Sequence, residues 1–108
     1  MNRGEIWSVA GGVYATKPRP AVILQDDRFA DTESVTVCPL TSMSVDAPLL
    51  RLRIESSSRS GLDTARWVMI DKITTVRRTN VARRIGRLSA AELVKFERLL
   101  AVFLGLAD

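Results

Sequence analysis

The chain has 108 residues, 46% hydrophobic and 26% charged, enough for one domain with its own core. Sixteen Lys and Arg against twelve Asp and Glu give a net charge of +4, and histidine is absent. That composition excludes Ser-His-Asp and Cys-His catalysis and any histidine-ligated metal, and no apolar run reaches the roughly 20 residues of a membrane span.

The opening MNRGEIW lacks the hydrophobic stretch of a signal peptide, and the single cysteine, Cys38, has no internal disulfide partner. Both point to the cytoplasm. EIWSV (5–9) alternates and is β-rich, so it reads as a first strand, and AGGVYATKP (10–18) as a loop. PAVILQ (20–25) is a nearly continuous apolar run, which predicts a central strand. The polar stretch 26–33 suits a single helical turn, and SVTVCPLTS (34–42) predicts a strand ending near Pro39. LRLRIE predicts a strand with Arg51, Arg53 and Glu55 on one face, and 56–65 a turn or short loop. RWVMI (66–70) and ITTV (73–76) read as strands joined through Asp71-Lys72, and RRIGRL (83–88) as a strand that closes the sheet.

Ser89, followed by Glu92, forms a capping box that starts one helix. Leu93, Phe96, Leu100 and Phe103 recur at helical spacing as its core face, with Val94, Leu99 and Leu104 broadening the stripe and Gly105 near its stop. Many short strands and one covering helix predict a small α+β barrel, a single domain over 1–108.

Two features carry chemistry. Arg19 stands between Pro18 and Pro20, which restrict its backbone before folding begins. Such a bracket suits a guanidinium that must meet a phosphate at small ordering cost, and equally a plain entry into an edge strand. Five arginines (77, 78, 83, 84 and 87) fall within eleven residues, the footprint of a nucleic-acid binder or a solvated face. RNA supplies its own nucleophile, the 2′-hydroxyl, so a histidine-free site must position the phosphate, stabilise its charge and move protons. Arg19 and Thr41 can share one sheet edge if their strands are neighbours. Each also has a structural reading: Thr41-Ser42 as a turn cap, Asp71 as a local partner of Lys72 or an arginine.

The blocks RGEIW (3–7), KPRPAVILQDDRF (17–29), SVTVCPLTS (34–42), VMIDKITTV (68–76) and IGRL (85–88) resemble, in this order, those of MazF/PemK-type toxins. The resemblance covers nearly the full length, with 43–66 the least distinctive part. It implies an SH3-like β-barrel (CcdB/MazF-like) and a metal-independent, cofactor-free endoribonuclease of a type II toxin–antitoxin pair. Such toxins cleave single-stranded RNA at short motifs, work as homodimers, and are neutralised by an antitoxin whose disordered tail covers the RNA groove.

Carried over, the resemblance makes Arg19 the phosphate stabiliser and a proton donor, and Thr41 an orienting hydroxyl that Ser42 assists. Kid-like members add an Arg-Xaa-Asp motif to the catalytic set, which makes Asp71 a third expected catalytic residue; here the stretch reads Met69-Ile70-Asp71, so Asp71 is present and the arginine is missing. The segment from Gly11 to Lys17 becomes a flap over the RNA, with Tyr14 as a base-stacking partner or a loop anchor. Lys17, Lys72, Arg77 and Arg78 complete the expected RNA contacts, and the 77–87 arginines face either RNA or an acidic antitoxin. The rival reading is a binder without catalysis, either a CcdB-like gyrase poison or an RNA-binding module.

Overall fold

The computed structural model describes residues 1–10 and 17–108. Its strands are β1 (Glu5–Val9), β2 (Arg19–Ile23), β3 (Ser34–Thr41), β4 (Arg51–Ile54), β5 (Arg66–Met69), β6 (Thr74–Arg77) and β7 (Val81–Arg87), followed by the helix α1 (Ala90–Phe103). Short 3-10 turns cover Asp27–Phe29, Ile70–Lys72 and Arg78–Asn80. All strand pairs are antiparallel, in the order β4-β5-β3-β2-β1-β7, with β6 also paired to β3.

β3 does not stop at Pro39; it runs through it to Thr41. The Thr36 carbonyl accepts from Leu24 N–H, so even-numbered backbone groups of β3 face the β2 side. Alternation then turns position 39 to the opposite side, where β3 passes from its last pair with β6 at Val37 to its first pair with β5 at Leu40. The missing proline N–H falls in that gap and removes no ladder bond.

Each face of the sheet has its own core. Ile6, Val22, Cys38, Leu40, Leu52, Ile54 and Val68 pack with Phe96 and Leu100 of the helix. Val9, Ala21, Ile23, Val35, Val37, Val76 and Val81 form a second cluster on the other face. Ser89 caps α1 as expected, its hydroxyl accepting from Glu92 N–H at 3.1 Å while Glu92 accepts from Ser89 N–H. The helical stripe is narrower than its spacing predicts: Phe96 and Leu100 are buried, whereas Val94, Phe103 and Leu104 are exposed. The helix lies on β4 and the Ile70–Lys72 turn.

The hydrogen-bonded sheet is not closed, so it is a barrel only loosely. The loop after β4 bridges β7: Arg87 N–H donates to the Arg59 carbonyl at 3.0 Å. Two glycines make this seat possible. A Cβ on Gly61, at φ +70°, would overlap the Ile85 carbonyl oxygen, and one on Gly86 would overlap the carbonyls of Arg59 and Ser60. Gly61→Ala and Gly86→Ala are each expected to cost about 2 kcal/mol, a fall in Tm of about 10 °C in a thermal melt. A shift under about 2 °C would show that the seam carries little of the fold's stability.

Candidate active site

Arg19 and Thr41 come together through register. The paired residues of β2 and β3 end at Ala21–Pro39, and the same register continued by two steps would place Arg19 across from Thr41. Thr41 is also paired, on its other side, with Trp67 of β5, and Trp67 with Arg53 of β4. Thr41, Trp67 and Arg53 thus form one row across three strands, which Arg19 of β2 extends to a span of about 14 Å at ordinary strand spacing. Alternation puts all four on the face away from α1, since Val22, Leu40, Val68, Leu52 and Ile54 point to the helix-side core.

Arg19 is exposed, and among the described residues no salt bridge or side-chain hydrogen bond engages it. The Thr41 hydroxyl oxygen accepts from Met43 N–H at 3.1 Å, the geometry of a turn cap. The backbone donor fixes the oxygen and leaves the hydroxyl proton to be given elsewhere. Ser42 and Lys17 are exposed at the same end of the sheet, next to Thr41 and two residues before Arg19.

Asp71 stands apart from that row. Its Oδ1 accepts from Arg51 Nη1 at 2.5 Å, and the two side chains are only 25% and 14% exposed. Arg51 is the cross-strand neighbour of Met69, so a guanidinium reaches Asp71 from β4 although position 69 carries none. Of the readings open for Asp71, pairing with an arginine is the one the geometry displays, with an arginine twenty positions away in sequence. Lys72 is exposed in the same turn.

Arg77 and Arg78 do not join the site. Arg77 pairs with Ser34 at the other end of β3, about 23 Å from Thr41 at strand rise. Arg78 Nε donates to the Thr32 carbonyl at 2.7 Å, a structural role. Of the remaining cluster, Arg83, Arg84 and Arg87 line β7, with Arg84 3.7 Å from Glu5. Burial pushes the Glu5 carboxyl up, but the Trp7 indole N–H, the Asn2 backbone and Arg84 together hold it below its ordinary value. The Tyr14 reading lies outside the described residues.

Cys38 is fully buried, and burial, helped by the Asp71 carboxylate, pushes its thiol up to about 12. It is therefore no nucleophile. Its reaction with Ellman's reagent at pH 8 is expected to be negligible in the native protein and complete in denaturant; rapid native labelling would contradict this. Among the described residues no group of three or more acidic or cysteine side chains is placed to hold a metal ion. No described helix is long and apolar enough to cross a membrane.

Comparison with known proteins agrees with the arrangement of the strands. A Mycolicibacterium smegmatis protein named "Probable endoribonuclease MazF" is 52% identical over 108 residues, covering 99% of each chain. Mycobacterium tuberculosis "Endoribonuclease MazF9" is 33% identical, covering 98% of each. A mycobacterial endoribonuclease solved with its cognate antitoxin shares the fold at a TM-score of 0.82 and 22% identity, over 100% of this chain and 98% of its own. The family model of PemK-like, MazF-like toxins of type II toxin–antitoxin systems matches residues 2–104, and the chain belongs to that family.

Proposed function

We propose that this chain is a metal-independent endoribonuclease toxin that cuts single-stranded RNA through the RNA's own 2′-hydroxyl. What supports the reading is the register of β2 and β3, which, continued two steps past the Ala21–Pro39 pair, sets Arg19 across from Thr41 on one face. Relatives named as endoribonucleases over the whole length support it.

In this reading the Arg19 fork engages two phosphate oxygens and neutralises the charge that grows on them in the transition state. Thr41 donates its hydroxyl proton to a phosphate oxygen, its own oxygen being held by Met43 N–H. The 2′-oxygen forms a bond to phosphorus while the bond to the 5′-oxygen breaks. The 2′-hydroxyl loses a proton and the leaving 5′-oxygen gains one, so the products are a 2′,3′-cyclic phosphate and a 5′-hydroxyl. Asp71 acts as a positioning residue that fixes Arg51 at the floor of this face. The net charge of +4 and the arginines of β7 suit an acidic antitoxin segment as the second partner.

The test is incubation of the purified chain with a long single-stranded RNA in EDTA, followed by mapping of the fragment ends. Cleavage at a recurrent short motif is expected, with 5′ ends that accept a kinase label without phosphatase treatment. Thr41→Ala is expected to lower kcat about 100-fold with KM little changed. RNA binding without cutting would overturn the reading in favour of a binding module.

A further inference from the structure

Trp67 is the member of the row that the chemistry above leaves unused. It stands across from Thr41 on one side and from Arg53 on the other. The Arg53 guanidinium lies 5.4 Å from the centre of the Trp67 ring, within cation–π range. Arg53 Nε donates to Glu55 Oε1 at 2.7 Å, which holds the cation over the indole. The next residue, Val68, is fully buried in the helix-side core, whereas Trp67 is only half-buried on the opposite face.

A half-exposed indole beside a catalytic hydroxyl has a use when RNA is bound. Single-stranded RNA is read largely by stacking its unpaired bases on aromatic and guanidinium planes. Thr41 and Trp67 are one strand spacing apart, about 5 Å, so a phosphate held at Thr41 brings the attached base within reach of the ring. Because a cation already covers one face of the indole, the other face suits an electron-rich base and disfavours a lysine or arginine from a protein partner.

We propose that Trp67, backed by Arg53 and Glu55, forms a nucleobase subsite for the nucleotide next to the scissile phosphate. The subsite rests on the ribonuclease reading. It favours a purine over a pyrimidine, because two fused rings cover more of the indole than one.

The test uses Trp7→Phe protein, in which Trp67 is the one remaining tryptophan. The probe is an RNA oligonucleotide spanning a mapped cleavage site, with a 2′-deoxy sugar at the scissile nucleotide so that it binds without being cut. Stacking is expected to quench Trp67 emission. Trp67→Ala is expected to raise KM about 10-fold or more and relax the preference at the adjacent base, and Trp67→Phe to restore most of both. If Trp67→Ala does not fold, the quenching measurement decides alone. A Trp7→Phe protein that cuts RNA while its Trp67 emission stays unquenched overturns the subsite and leaves the ribonuclease reading standing. A wild type that binds RNA and never cuts removes both.

Discussion

Replacing Arg19 by alanine is expected to lower kcat/KM for RNA cleavage by about 1,000-fold while leaving the melting temperature within a few degrees of wild type. The two halves of that expectation have separate causes. Arg19 is exposed at the start of β2 and engages no salt bridge or side-chain hydrogen bond among the described residues, so its removal opens no cavity and strands no partner. Its backbone pairing with Val9 survives the change. What is lost is the guanidinium at this sheet edge, carried on a backbone that two prolines keep extended. Arg19→Lys separates charge from shape. It keeps the positive charge but not the planar fork, and an intermediate loss of about 100-fold is expected. Single-turnover cleavage of one defined oligonucleotide measures both. If Arg19→Ala is folded and cuts within about 10-fold of wild type, the phosphate is held elsewhere and the row of Arg19, Thr41, Trp67 and Arg53 is not the active site.

Short-range pattern is what the sequence makes legible. Alternation in SVTVCPLTS and in RLRI assigns Thr41, Arg51 and Arg53 to definite faces, and the Ser89–Glu92 box starts the helix where it does start. Pro39 misleads because a proline ends a strand only where its N–H is needed, and need is set by which neighbour lies alongside. Phe103 misleads because helical spacing defines a stripe but not which of its residues the rest of the fold covers. The arginines between 77 and 87 look like one patch in sequence, yet Arg77 and Arg78 lie at the far end of β3 from the site. The partnership of Arg51 with Asp71, and that of Thr41 with Trp67, cannot be found by reading along the chain. Both are cross-strand facts, fixed by register between β3, β4 and β5. The outward alternation of Trp67 beside inward Val68 is the one available hint.

Arg51→Met tests the pair that replaces the missing arginine at position 69. The substitution keeps most of the aliphatic volume and leaves a three-quarters-buried Asp71 carboxylate without its cation. Such a change is expected to destabilise the fold by about 3 kcal/mol, at the low end for a broken buried pair because both groups keep some solvent. Adding Asp71→Leu should recover most of that loss, since replacing both members removes the unpaired charge; a coupling of about 2 kcal/mol in the cycle of single and double variants is expected from urea unfolding. Additive losses would mean that the 2.5 Å contact carries no net stabilisation. The same variants separate two roles for Asp71 in cleavage. As a positioning residue, Asp71 acts through Arg51, so Asp71→Asn should lower kcat modestly and leave the shape of the pH–rate profile unchanged. As the acceptor of the 2′-hydroxyl proton, it would instead give a loss of 100-fold or more and remove the acidic limb of the profile. The geometry favours the first outcome, because the Asp71 oxygen is already engaged by the Arg51 guanidinium and lies off the row that presents Arg19 and Thr41.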